Sequence, residues 1–445
     1  MVRPIHRREY LAGSAAVLAG LAGCSGAEMP GVGGGVEEAF PLRMAVLAPQ
    51  SGSLERFGPT MEDVVTLVER QLNAADADFT LEYDIWDTES DPDTAVDVAH
   101  EAVDAGYQAI LGPGSGESAS AVAQEVLVPE SVAAITPLAC TGLGTRHEGY
   151  IYTTAPRARS LGIALSRPIA MEGIGSASVI YTENAYGQSI ENNVEAELVA
   201  RGVDIHGMLG IDVDPADSYE DELDEALGDD AEALIVASDP GPGIQLAKDF
   251  YEYYGDQAFF VTDRLKLPEL PDETGDEMEN AQAVSMRPRW DRIAAERGEE
   301  VEEIEEDEEL HEDADLLTYF NEAYQHAYER FPSIQAAQTF DATVVLAFAV
   351  AAAGDERYEG DEIRRRIWRV ANQQTGIEGI QGYGYDDFWE GIPLLADGVR
   401  NNYTGASGTV EFDRDSGWLV SPMLHAAAFD AEHPAGFREL LPIPT

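Results

Sequence analysis

The sequence predicts an α/β protein of two lobes, each a parallel sheet flanked by helices. Three observations predict it. Short apolar runs alternate with segments whose apolar residues recur at helical spacing. The alternation runs from residue 43 to 137 and restarts at residue 176. Turn residues such as Gly, Pro, Asp and Asn stand where one period gives way to the other. Repeated strand–helix–strand units make neighbouring strands parallel and put helices on both faces. Two such series imply two lobes, and 445 residues are enough for both.

RMAVLAP (43–49) reads as a buried strand and runs into the polar loop QSGSLERFGP (50–59). Met61, Val64, Val65, Leu67, Val68 and Leu72 then form one helical face. FTLEYDIWDT (79–88) is a second strand, and Asp91 before Pro92 is a helix start. Strands at 107–113 and 132–137 bracket a third helix. In the second series, strands at 176–183, 203–212, 231–239 and 258–263 alternate with helices at 189–202, 218–228 and 243–255. Helices follow at 315–331 and 339–354, the latter apolar nearly all round and therefore buried. A further helix at 360–373 and a turn with a hairpin at 401–430, punctuated by Gly408 and Gly417, complete the pattern. Residues 296–315 carry thirteen carboxylates without the spacing of a calcium loop, and read as a solvated acidic insertion.

The start of the chain, HRREYLAGSAAVLAGLAGCSG (6–26), has its own character. Its apolar run is about a dozen residues, short of the roughly 20 that span a bilayer. A basic start, a short apolar middle and small residues at the end describe an export signal. Arg7 and Arg8 make it similar to a twin-arginine signal, and LAGC (21–24) resembles a lipobox. Residues 1–24 are thus expected to be a lipoprotein signal with Cys24 the lipidated residue; a signal cut near Gly23 is the alternative. Residues 25–40 read as a flexible tether. The expected location is the outer face of the cell membrane, reached by the twin-arginine route.

The chain has 84 acidic and 27 basic residues, a net charge of −57, and only two lysines, Lys248 and Lys266. This excludes a nucleic-acid partner, which needs cationic patches. With 44% hydrophobic residues the chain folds rather than staying disordered. The balance describes a halophilic, haloarchaeal protein, since at 1 M salt the Debye length is about 3 Å and like charges stop repelling.

Ligands in open parallel sheets sit beyond the carboxyl ends of the strands. That rule selects the loops 50–59, 112–120, 136–144 and 262–266. The second, GPGSGESAS, is Gly-rich and opens a helix, a place suited to a carboxylate. Ser115 is either a ligand donor there or the cap of the helix. No Gly-x-Ser-x-Gly elbow, His-Glu-x-x-His or Cys/His metal cluster is present, so neither catalysis nor a metal is indicated. Cys140 is a weak candidate nucleophile, more in keeping with an apolar filler.

These loops, in this order, resemble the Leu/Ile/Val-binding type of ABC transporter solute-binding protein over residues 42 to about 430. The resemblance implies a type I periplasmic-binding-protein fold with a three-crossing hinge and a ligand in the cleft. Crossings fall near Ala155, near Met286 and around 403–408, giving one lobe of 41–156 plus 287–402 and another of 157–286 plus 403–445. Carried over position by position, it implies Phe57 as an aromatic wall, Ser115 as a carboxylate ligand, and Ala139, Cys140 and Thr141 as a second binding loop. Cys140 stands where threonine is usual. Tyr186 is implied to close on the ligand and Asp263 to pair with its ammonium, while Arg264 replaces the usual glycine. The implied function is extracellular capture of a small polar solute, an amino acid or amide, for ABC permease subunits, with no cofactor and no catalysis. A ligand-sensing domain serving a membrane kinase would use the same cleft.

Overall fold

The structure is a computed structural model describing residues 40–74, 79–143, 147–228, 230–275, 278, 280–286, 316–353, 359–372, 403–420, 422–430, 433 and 436–443. The signal segment, nearly all of the tether and the acidic insertion lie outside these residues.

The first sheet contains β1 (Phe40–Ala48), β2 (Phe79–Asp87), β3 (Ala109–Leu111), β4 (Ala133–Thr136) and β5 (Ile151–Thr153). Their spatial order is β2-β1-β3-β4-β5, all parallel. Helices α1 (Phe57–Ala74), α2 (Pro92–Asp104) and α3 (Gly116–Val122) connect them, α3 running on through a wider turn to Glu130. Asp91 caps α2 by accepting from the Thr94 N–H at 2.8 Å, with Pro92 opening the helix. Along β1, Met44 and Val46 enter one apolar cluster with α1, while Ala45 and Leu47 enter another with α2 and α3. The alternation shows a sheet covered on both faces.

The second sheet holds β6 (Ser176–Thr182), β7 (Asp204–Ile211), β8 (Ala233–Ala237), β9 (Ala258–Thr262) and β10 (Ala281–Met286), with helices α4 (Ala158–Met171), α5 (Ala185–Arg201), α6 (Glu220–Leu227), α7 (Pro240–Tyr253) and the short α8 (Leu270–Thr274). Helices α9 (Leu316–Tyr328), α10 (Ile334–Ala353) and α11 (Gly360–Ala371) follow and pack in the core of the first lobe. The ribbon β11 (Thr404–Gly405) and β12 (Gly408–Thr409) precedes β13 (Leu424–Phe429) and β14 (Phe437–Ile443), which join the second sheet antiparallel. That sheet runs β14-β13-β10-β9-β8-β6-β7.

Two points differ from the sequence reading. The strands β5, β10 and β14 and the helix α4 carry no periodic signal strong enough to announce them. The last passage between lobes also lies later than residues 403–408. Tyr403, Phe412 and Trp418 all bond or stack on the first lobe, through Asp341, Tyr152 and the Leu143 carbonyl. The chain changes lobe between Val420 and Leu424, after the β11–β12 ribbon and the antiparallel Phe412–Leu419 bridge.

Every residue of α10 is buried. Its length and apolarity would suit a membrane span, yet it lies wholly inside the protein. Asp341, midway along it, accepts from the Tyr403 hydroxyl at 2.7 Å, the Ala406 N–H at 2.7 Å, the Ser407 N–H at 2.8 Å and the Ser407 hydroxyl. Burial pushes its carboxyl up to about 6 even against these four donors. An unfolded Asp titrates near about 3.9, so between these values the native state binds the extra proton. Stability contributed by that proton is therefore fully present below about pH 4 and lost as pH rises through about 6. We expect wild type to lose up to about 3 kcal/mol relative to Asp341→Asn over this range, since each tenfold difference in proton affinity is worth about 1.36 kcal/mol. Denaturant unfolding of both proteins in concentrated salt measures it, and parallel pH profiles would refute the assignment.

Candidate functional site

The carboxyl ends of β1, β3, β4 and β9 face one cleft, and a small cavity lies there. Phe57, Gly114, Leu138 and Cys140 line it from the first lobe, Ala155 from the first crossing, Asp263 and Arg264 from the second lobe, and Gln335 and Gln338 from the start of α10. Its volume is about 10 Å³, room for about one water.

Close backbone approach shapes the first-lobe wall. A Cβ on Gly116 would lie 2.2 Å from Thr141 Oγ1, and one on Gly142 (φ +81°) 2.2 Å from the Gly116 carbonyl. The loops after β3 and β4 can pack together only with glycine at both places. The Ser115 hydroxyl accepts from the Ser118 N–H at 3.0 Å and donates to Ser118 Oγ at 2.9 Å, so it caps α3. Thr141 Oγ1 is buried and has no hydrogen-bond partner among the described residues. Ala139 offers its carbonyl to Thr153 Oγ1 at 2.9 Å.

The second-lobe wall is a buried charged cluster. The Tyr186 hydroxyl donates to Asp263 Oδ1 at 2.7 Å and stands 2.7 Å from Thr262 Oγ1. The Arg264 guanidinium lies over the Tyr186 ring, 3.7 Å from its centroid, and its Nη1 donates to Asp239 Oδ1. Burial pushes the Asp263 carboxyl up, against the Tyr186 hydroxyl and Arg264. Burial opposes the charge on Arg264, but Asp239 more than offsets it and holds the group protonated. Gln335 Nε2 donates to the Asp263 carbonyl at 2.8 Å across the lobes, and Gln335 Oε1 is buried with no hydrogen-bond partner among the described residues.

Of the residues singled out in the sequence, the structure brings Phe57, Cys140 and Asp263 to the cavity wall, together with the departing Arg264. Ser115, Ala139, Thr141 and Tyr186 stand directly behind that wall. Sequence reasoning missed Gln335, Gln338 and Asp239. The first two sit on a helix whose composition reads as plain core, and Asp239 meets Arg264 only after folding.

Two lobes thus meet over a cavity that both line. The chain belongs to the periplasmic binding protein family, whose model matches residues 41–389. Members bind solutes and are not enzymes. The fold is similar to that of a leucine-binding protein from Thermotoga maritima, with 16% identity, 91% of this chain and 99% of the other covered, and TM-score 0.68. It is similar to a branched-chain amino acid transporter substrate-binding protein from Streptococcus pneumoniae solved with isoleucine, at 16% identity, 90% and 99% coverage and TM-score 0.67. An ABC transporter solute-binding protein from R. palustris solved with benzoate is similar too, at 13% identity, 91% and 97% coverage and TM-score 0.69. No curated protein matches the sequence.

Cys140 is buried and its thiol donates to the Leu138 carbonyl at 3.5 Å. Burial, with Asp263 nearby, pushes the thiol well above its ordinary range. We expect it to resist iodoacetamide in the folded protein and to react fully after unfolding, as read by mass spectrometry. Rapid labelling of folded protein would mean an accessible thiolate.

Proposed function

We propose that this chain is the extracellular substrate-binding protein of an ABC importer, taking a small polar solute in the interlobe cleft by hinge closure. One observation supports it above the others: the cavity is lined by loops of both lobes, so a bound solute would hold the lobes together. The relatives of known structure include proteins solved with an amino acid and with an aromatic acid. An amino acid or another small organic acid is therefore the class to try first. Permease subunits are the partner that would receive the closed form.

A ligand present at a hundred times its dissociation constant adds about 2.7 kcal/mol to stability. Thermal unfolding of the mature chain in concentrated salt, against amino acids, amides and small carboxylates, should rise with one group. The rise should vanish in a variant that keeps the fold but fills the cavity, such as Ala155→Leu. A rise unaffected by that change would place the solute elsewhere.

Membrane attachment through Cys24 follows from the LAGC sequence and the arginine pair before it. Replacing Cys24→Ser should release the exported protein into the medium, as judged by fractionation. Retention of the variant at the membrane would rule out the lipid anchor.

A further inference from the structure

The cleft carries a cation of its own. The Arg264 side chain is 7% exposed, and its guanidinium covers the face of Tyr186 with Asp239 engaged through Nη1. Asp263 stands beside it, held by the Tyr186 hydroxyl. An aromatic face bordered by carboxylates is the environment a solute's ammonium would use. Here the protein's own guanidinium fills it, and a second cation would meet Arg264 in a buried place where salt screens little.

Asp263 also lines the cavity but is pushed toward its neutral form by burial, and the remaining character of the site suits an anion. A guanidinium offers five N–H donors in a planar fork that matches a carboxylate. Gln335 is the second residue of α10, so the positive end of a twenty-residue helix also faces the cavity. Asp239 is the residue before α7, where the same effect offsets its charge. The opposite wall, Phe57, Leu138 and Ala155, is apolar. Gln335 Oε1 is a buried acceptor with no hydrogen-bond partner among the described residues.

Resting on the receptor reading above, we propose that the ligand is a small organic carboxylate without an ammonium group, its carboxylate against Arg264 and its apolar body against Phe57, Leu138 and Ala155. A hydroxyl on the same molecule would donate to Gln335 Oε1, so hydroxy acids bind more tightly than plain acids.

The test is isothermal titration calorimetry of the mature chain in concentrated salt with matched compounds. These are alanine with propanoate and lactate, leucine with 4-methylpentanoate and its 2-hydroxy acid, and phenylalanine with 3-phenylpropanoate and its 2-hydroxy acid. In at least one set the acids should bind tenfold or more tightly than the amino acid. Arg264→Gly combined with Asp239→Asn, which avoids stranding the aspartate, should abolish that preference. Gln335→Leu provides a separate reading: it also loses the bond to the Asp263 carbonyl and so weakens all compounds, but it should in addition erase the difference between the hydroxy acid and the plain acid. Amino acids binding as tightly as their acids would overturn the proposal and leave the receptor reading intact. Heat from none of the nine compounds would count against both.

Discussion

Two of the three passages between the lobes, and the segment that leads toward the third, are tied to one buried helix. At the first passage, Thr154 Oγ1 donates to the Gln338 carbonyl at 2.8 Å. At the second, Gln338 Nε2 reaches Met286 Sδ at 3.3 Å. Before the third, Asp341 collects four donors from residues 403–407. Helix α10 has no exposed side, so none of these polar groups can turn to water. Each must keep its partner in the fold or lose the bond outright. The first two passages are therefore anchored at a core element of the first lobe.

The same helix places Gln335 in the cleft. Gln338 lines it too, so its amide belongs both to the anchor of the second passage and to the cavity. The electrostatics divide in the same manner. At the rim, Arg56 pairs with Glu273 at 2.9 Å, Lys248 pairs with the same carboxylate at 3.1 Å, and Glu117 accepts from the Ala185 N–H at 2.7 Å. These groups are partly exposed, and pairs of this kind contribute about 0–1 kcal/mol, less in concentrated salt. The Arg264–Asp239 pair is buried and escapes most of that screening. The partly exposed pairs are thus open to screening by dissolved ions, and the buried pair is largely not.

Most of the architecture was legible because it rests on period. Strands such as β1 and β8 and helices such as α1 bury alternating or helical faces, and their residues advertise it. The missed elements lack that signature. Strand β5 has three residues, and β10 reads AQAVSM with two polar positions, while α4 contains Pro168 and two arginines. They take their form from the neighbours they pair with, which no local window contains. The site was legible at its loops and obscure at its charges. Arg264 stood out as a departure from the expected glycine, but its stacking on Tyr186 and its pairing with Asp239 join residues 78 and 25 positions away. Ser115 shows the reverse limit: a serine opening a helix reads equally as ligand donor and as cap, and here its hydrogen bonds are those of a cap.

Closure and recognition meet at the turn carrying Asp263 and Arg264. The Asp263 carbonyl accepts from Gln335 of the first lobe, and the next residue, Arg264, lines the same cavity. A solute shifts the balance between open and closed forms only by its difference in affinity for the two. Contacts to the first lobe alone exist in both forms and supply no such difference. A solute touching Phe57 or Leu138 on one side and Arg264 on the other completes its contacts only when the lobes meet. The rim pairs are partly exposed and add little of their own. On the proposed reading, a switchable receptor needs a polar group on each side of the gap it closes, and the second lobe provides Arg264.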